Sequence, residues 1–137
     1  GFGSRRRLLQ RWKQAEIDVH WLKTARAGID GFDMAAGDVP QQRAVRLVEE
    51  ALEAAQAVDA DPAMLHRLID FVWSRPKGDV GQELGGVGVT LLAFAEAVGK
   101  HADEEEEREV QRILAKDPAH FTRRNAEKNA AGFNVSP

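Results

Sequence analysis

The segment that most constrains this 137-residue chain is Glu49-Glu50-Ala51-Leu52-Glu53, which places three carboxylates in an otherwise apolar stretch. Residues three or four apart share a helix face, so Glu50 and Glu53 point the same way and Glu49 flanks them. Apolar residues between positions 47 and 58 surround these acids, which predicts a helix buried on more than one side. Carboxylates in such a setting need compensating partners.

The cations nearby in the sequence compensate only part of this charge. Arg46 lies one turn before Glu49 and Glu50 and can pair with either. No basic residue follows Glu53 within the next turn, so we expect its partner to come from elsewhere in the fold. A divalent cation is one solution, and a solvated acidic face is the alternative.

A second acidic segment, Gln82-Glu83-Leu84-Gly85-Gly86, follows later in the chain. We interpret the two segments as facing helical walls of one divalent-metal site, because hard cations such as Mg²⁺ take oxygen ligands and usually need several carboxylates. Asp79 lies four residues before Glu83 and shares its face if the helix has begun by then. Asp79 is therefore either a further metal ligand or the N-cap of that helix.

Three runs, residues 43–53, 68–76 and 82–87, together resemble the MazG-like all-alpha nucleoside triphosphate pyrophosphohydrolases, in particular their short, single-domain phage and bacterial members. That family is marked by ExxE on one helix and ExxD on a later one. The resemblance implies an all-helical fold that assembles as dimers or tetramers. It also implies Mg²⁺-dependent cleavage of a nucleoside triphosphate to the monophosphate and pyrophosphate.

The family motif carries over to this chain at three positions. Glu50 and Glu53 match the first acidic pair, and Glu83 matches the first acid of the second pair. Gly86 stands where the family usually has Asp. The resemblance covers roughly residues 41–113 and implies that the three glutamates hold Mg²⁺, with Mn²⁺ as a substitute.

Further candidate roles come from the residues themselves and, for Arg112 and Lys116, from the resemblance. Glu49 is the candidate catalytic residue, as a general base or a ligand to a second metal, and Glu107 and Glu109 are weaker metal candidates. The candidate phosphate-binding cations are Arg75, Lys77, Arg112, Lys116, Arg124 and Lys128. Trp21 and Phe32 are candidates for stacking on the base, and packing in the core is the alternative for each.

The chain as a whole predicts an all-α bundle of about five to six helices, MazG-like and completed by dimerisation. We treat residues 1–4 as a remnant of expression and residues 5–137 as one domain with its core at 41–113. Helices are expected over 5–27, 40–58, 62–73 and 79–99, then from about 103, with a basic helix at 117–130. The basic helix can bind phosphate, nucleic acid or acids of a neighbouring subunit.

Four glycines fall inside the predicted helix 79–99, at positions 81, 85, 86 and 88. Each interior glycine costs a helix about 1 kcal/mol relative to alanine. Close packing of another helix, or the approach of a ligand to the backbone, would account for them.

Composition narrows the functional classes. The chain has 19 basic and 22 acidic residues and a formal charge of -3, which argues against a protein that binds nucleic acid non-specifically over much of its surface. It has no cysteine, so disulfides, thiolate catalysis and zinc-thiolate sites are excluded. No apolar run approaches the ~20 residues that span a bilayer, and we expect a cytoplasmic protein. Two alternatives to the enzyme remain: a catalytically degenerate nucleotide-binding or scaffolding protein, and a small helical nucleic-acid-binding domain.

Overall fold

The computed structural model describes residues 40–116 and 118–133, and every regular element in those residues is an α-helix. The helices are α1 Pro40–Ala57, α2 Pro62–Trp73, α3 Val80–Ala97, α4 Ala102–Ala115 and α5 Pro118–Ala130. The prediction of an all-α fold is confirmed. The predicted helix at 5–27 and the candidate base-stacking residues Trp21 and Phe32 lie outside the described residues.

Aspartates start two of these helices. The carboxylate of Asp61 accepts a hydrogen bond from the backbone N–H of Ala63 at 3.0 Å, and Pro62 occupies the first turn of α2. Oδ2 of Asp79 accepts from the backbone N–H of Gln82 at 2.9 Å. Both side chains satisfy donors that a helix start leaves without partners. The capping alternative for Asp79 is therefore confirmed, and its role as a metal ligand stays a prediction.

Three helices end in the same backbone capping motif. Asp59, Gly99 and Gly132 have φ angles of 61°, 69° and 82°, and they follow α1, α3 and α5 respectively. In each case the next residue donates its N–H to the carbonyl five residues earlier, at 2.8 to 3.0 Å. This is the Schellman arrangement, in which a left-handed residue satisfies the last carbonyls of the helix. The predicted helix end at Gly99 is confirmed.

Helix packing among the described residues is sparse. α3 and α4 are joined by residues 98–101 and pack against each other. Ala95 on α3 and Val110 on α4 are the buried apolar residues of the described chain, at 8% and 1% exposure. α5 reaches α1 through an ion pair between Lys128 and Glu49.

The prediction that α1 is buried on more than one side is wrong. Leu47, Val48 and Leu52 are 42–52% exposed, and Gln42 is the buried residue of this helix. The physical reason is that the other described helices contact α1 too sparingly to cover its apolar rows. An apolar helix surface shows only that a partner is needed, and the sequence does not say where that partner is.

The described helices do not include a membrane span. None of the helices within residues 40–116 and 118–133 combines the length and apolarity that crossing a bilayer requires. The most apolar of them, α3, also carries the four glycines.

Replacement of Asp79 separates capping from other roles. We expect Asp79→Ala to lower the free energy of unfolding by about 1 kcal/mol, because the N–H of Gln82 loses its acceptor, and Asp79→Asn to change it by only a few tenths. Chemical denaturation of the two variants in buffer containing a chelator measures both values. Equal losses in the two variants would show that the negative charge of Asp79, rather than its hydrogen bond, stabilises α3.

Candidate functional site

Glutamates from two helices influence one another at the centre of the candidate site. Burial raises the pKa of Glu50 above its ordinary value, and the negative charges of Glu53, Glu109 and Glu49 raise it further. Glu53 and Glu49 belong to α1 with Glu50, whereas Glu109 comes from α4. The fold thus adds to the α1 acids a carboxylate that the sequence analysis ranked only as a weaker candidate.

Glu49 has a different environment from its neighbour Glu50. Its Oε2 lies 3.1 Å from Nζ of Lys128 and 3.3 Å from a guanidinium nitrogen of Arg46. Burial alone would raise the pKa of Glu49, but the hydrogen bond and charge of Lys128, assisted by Arg46, outweigh it and leave this pKa below its ordinary value. The pairing of Arg46 with Glu49 was expected from the sequence, and the contact with Lys128 was not. A carboxylate held in this way is a weaker base, which favours an anchoring role for Glu49; its role as a general base stays a prediction.

Two of the predicted phosphate-binding cations lie beside these acids. Lys128 from α5 contacts Glu49, and the Lys128 side chain is only 22% exposed. Arg112 on α4 contacts Glu109, with its Nε at 2.8 Å and a terminal nitrogen at 2.6 Å from the same oxygen. The acids that influence Glu50 therefore have an adjacent Lys and an adjacent Arg, each contributed by a helix other than α1.

The other predicted phosphate ligands are placed differently. Arg124 pairs with Glu127 on its own helix at 3.0 Å. The guanidinium carbon of Arg75 lies 5.4 Å from the centre of the Phe71 ring, within cation–π range. Lys77 is exposed in the loop between α2 and α3, and Lys116 is exposed directly after α4.

Glu83 lies in the first turn of α3, and its side chain folds back over Gly78 in the preceding loop. A Cβ atom at position 78 would collide with the Glu83 carboxylate, so a side chain there would require the flexible end of Glu83 to move aside. Residues 40–116 and 118–133 contain no group of three or more His, Cys, Asp or Glu side chains that could hold a metal ion. The predicted convergence of Glu83 with Glu50 and Glu53 accordingly stays a prediction.

Gly86 lies one turn after Glu83 on the same face of α3. A Cβ atom built at Gly86 meets no atom within 4 Å. The position that usually carries Asp in the MazG-like family thus has room for a side chain in this structure.

Comparisons of the chain with protein-family models, with curated proteins and with solved structures find no match.

Neutralisation of Glu50 provides a test of the carboxylate repulsion. A carboxyl group whose pKa is raised by folding stabilises the fold most below its unfolded pKa, and that contribution is lost as pH rises through the folded pKa. We therefore expect Glu50→Gln to increase the free energy of unfolding near pH 7 by a few tenths of a kcal/mol, typical of relieved like-charge pairs. The gain should disappear below pH 4, where the wild-type group is protonated in both states. Urea denaturation across this pH range measures it, and Glu96→Gln, at an exposed glutamate of α3, is the matched control. A loss of stability near pH 7 would contradict the repulsion.

Removal of Lys128 tests the link between α5 and α1. A carboxyl group whose pKa is lowered by folding gives stability above its unfolded pKa, and that stability is lost as pH falls through the folded pKa. We expect Lys128→Met to lower the free energy of unfolding at pH 7 by about 0.5–1 kcal/mol, with the difference from wild type shrinking as pH falls below 4.5, the ordinary value for Glu49.

Arg124→Met is the control for this experiment, because Arg124 pairs within α5. Its effect should be smaller, and hydrogen exchange of α5 should change less than in Lys128→Met. A Lys128→Met loss of equal size at pH 3 and pH 7 would show that the lysine methylenes, and not the charge, hold the two helices together.

Proposed function

We propose that this chain is a Mg²⁺-dependent nucleoside triphosphate pyrophosphohydrolase of the MazG-like kind, which releases nucleoside monophosphate and pyrophosphate. The observation that carries the proposal is the environment of Glu50, whose pKa is raised by burial and by the negative charges of Glu53, Glu109 and Glu49. The negative potential of these neighbouring carboxylates favours a cation at that place. The motif resemblance names two of the α1 acids, Glu50 and Glu53, as metal ligands.

The donor set has the chemistry that Mg²⁺ prefers. Carboxylate oxygens are its usual protein ligands, and it keeps several waters besides. In the proposal Glu50, Glu53 and Glu83 would hold the ion, and Glu109 would be available to the same cluster. When bound, Mg²⁺ (or Mn²⁺) supplies neutralisation of phosphate charge and a more acidic water.

The cations beside the acids support binding of a polyphosphate. Arg112 and Lys128 each contact a glutamate of the cluster, and phosphate oxygens would compete with those carboxylates for them. The planar fork of Arg112 suits bidentate contact with a phosphate, and Lys128 contributes a point charge. Arg75 and Lys77 belong to the loop over which Glu83 folds. In the proposal they bind phosphates of the same substrate. These residues would position the triphosphate for attack by water between its α- and β-phosphates, and catalysis would be mostly positioning and electrostatics.

The remaining parts of the proposal come from the sequence analysis of the chain and from the resemblance together. The substrate is a ribo- or deoxyribonucleoside triphosphate, the assembly is a homodimer or homotetramer, and the location is the cytoplasm. Trp21 and Phe32 are proposed to contact the base.

A second candidate function is a nucleotide-binding or scaffolding protein of the same fold that no longer catalyses hydrolysis. The observation that favours it is Gly86, which leaves open space where the family usually has a metal-binding Asp. Metal dependence separates the two candidates. A degenerate binder would keep its nucleotide affinity in Glu53→Ala, and an enzyme would lose turnover.

The decisive experiment is an assay of the full chain against a panel of ribo- and deoxyribonucleoside triphosphates with Mg²⁺ or Mn²⁺, in which monophosphate and pyrophosphate are quantified separately. We expect metal-dependent release of both products in equal amounts. Glu50→Gln, Glu53→Gln and Glu83→Gln should each lower kcat/KM by about 100-fold or more, because each removes charge that holds the metal.

Glu96→Gln serves as the control in this assay and should retain wild-type turnover. Gly86→Asp should raise metal affinity if the absent carboxylate limits the site. Absence of turnover across the panel, with the protein folded and nucleotide still bound, would overturn the enzymatic proposal in favour of the binding protein.

A further inference from the structure

Arg46 and Lys128, which we call the cation pair, converge on one oxygen atom of Glu49. Oε2 of Glu49 lies 3.3 Å from a guanidinium nitrogen of Arg46 and 3.1 Å from Nζ of Lys128. Arg46 and Glu49 belong to α1, whereas Lys128 comes from α5. A single anionic oxygen therefore bridges two cations from two helices. The sequence analysis did not count Arg46 among the candidate phosphate ligands.

The cation pair is more enclosed than the other ion pairs recorded in the described residues. The side chains of Arg46, Glu49 and Lys128 are 25%, 29% and 22% exposed. In the remaining pairs both members are 41–63% exposed, namely in Arg108–Glu105, Arg112–Glu109 and Arg124–Glu127. Electrostatic contacts are stronger where water is partly excluded. An anion held by the cation pair is consequently bound more firmly than one at the open surface.

A phosphate group has the chemistry to replace Glu49 at the cation pair. Glu49 carries one negative charge and makes both contacts through the same oxygen atom. A phosphate group carries up to about two negative charges and at least three acceptor oxygens, so each cation can take an oxygen of its own. The guanidinium of Arg46 can also contact two phosphate oxygens at once. Both differences favour phosphate in a competition with the Glu49 carboxylate.

The cation pair lies beside the candidate metal site. Glu50, whose pKa is raised by burial and by the charges of three neighbouring glutamates, is also acted on by the charge of Lys128, in the opposite direction. Lys128 is thus close enough to act on both Glu49 and Glu50. A phosphate at the cation pair stands next to the carboxylates proposed to hold Mg²⁺, an ion that commonly takes substrate phosphates among its ligands.

We propose that Arg46 and Lys128 form a binding site for a phosphate anion, and that Glu49 occupies this site until a phosphate displaces it. While no phosphate is bound, Glu49 holds the two cations in place and connects α1 to α5. A bound phosphate takes over the same bridging position, so the two helices stay connected. This inference deepens the proposed function by adding Arg46 to its phosphate ligands, and it rests on that function only for the choice of phosphate as the ligand.

The first test measures binding of inorganic pyrophosphate to the full chain by calorimetry, in buffer of low ionic strength that contains a chelator. We expect Glu49→Gln to tighten binding by about 10-fold, because a neutral group of the same shape replaces the competing carboxylate. Arg46→Met and Lys128→Met should each weaken binding by about 10-fold or more, because each removes a charge-assisted contact with the anion.

Arg108 and Glu105 provide the matched controls, since they form an exposed ion pair within α4. Glu105→Gln and Arg108→Met change the net charge of the chain in the same way as Glu49→Gln and Arg46→Met. Each should leave the affinity for pyrophosphate within about twofold of wild type, because exposed charges at a distance are screened by salt. Circular dichroism checks that every variant is folded.

The second test measures displacement of Glu49 in the wild-type chain, so it does not depend on the folding of a variant. Carbodiimide-driven amidation of carboxyl groups, followed by mass spectrometry, reports the accessibility of Glu49, and the exposed Glu96 of α3 is the reference. Pyrophosphate should raise the labelling rate of Glu49 several-fold relative to Glu96, because Glu49 loses its contacts with the cation pair.

Pyrophosphate binding that neither Arg46→Met nor Lys128→Met weakens would overturn the inference. So would the absence of binding to both wild type and Glu49→Gln, or unchanged labelling of Glu49 at saturating pyrophosphate. A non-hydrolysable nucleoside triphosphate is the second probe. If its binding depends on Arg46 and Lys128, the site takes phosphates of a nucleotide, and if only pyrophosphate binding does, the site takes the free anion.

These measurements use no metal and no cleavable substrate, so the two proposals fail separately. A chain that binds pyrophosphate at the cation pair and hydrolyses no nucleoside triphosphate would refute only the proposed function. A chain that hydrolyses nucleoside triphosphates and shows no displacement of Glu49 would refute only this inference.

Discussion

Repulsion between carboxylates on α1 is the interaction on which the arrangement of the candidate site depends. Three glutamates within five residues cannot all be compensated by their own helix, which offers Arg46 to one of them. α5 adds Lys128 beside Glu49, and α4 adds Glu109, a further negative charge that acts on Glu50. Two adjacent residues of one helix consequently have opposite pKa shifts, downward for Glu49 and upward for Glu50. Burial and the neighbouring carboxylates raise the pKa of Glu50, and the negative potential of those carboxylates is the reason that the proposed metal is placed there.

The described chain compensates charge and apolar surface in different ways. The ion pairs recorded in the described residues lie between neighbouring turns of a single helix, in α1, α4 or α5, or join α5 to α1. Its apolar side chains are largely uncovered, most of all on α2 and the first half of α3. The glycines are concentrated in the same half of α3, where side chains are missing and packing partners are missing as well.

Local signals in the sequence were sufficient to predict the helices of the described residues. Asp61 followed by Pro62, Asp79 as a cap and Gly99 after the last turn place the boundaries within a residue or two, because each acts through hydrogen bonds to its own helix. The burial of side chains could not be predicted from such local signals. The apolar setting of Glu50 suggested an enclosed helix, yet coverage depends on which elements pack there.

Long-range contacts were the other part that the sequence could not supply. Lys128 was a candidate cation, but no spacing rule links it to Glu49, and Glu109 could not be ranked above its acidic neighbours on α4. The Lys128–Glu49 contact and the electrostatic effect of Glu109 on Glu50 both depend on how α4 and α5 are placed relative to α1. The convergence of Glu83 with the α1 acids depends on tertiary arrangement in the same way, and motif spacing alone does not determine it.

The Lys128–Glu49 contact also has a consequence for the order of folding. α2, α3 and α4 all lie between these two residues in the chain, so the contact closes a long loop and is entropically costly until those helices have formed. During synthesis Glu49 leaves the ribosome well before Lys128 exists. α1 therefore remains without its interhelical cation until α5 has been made.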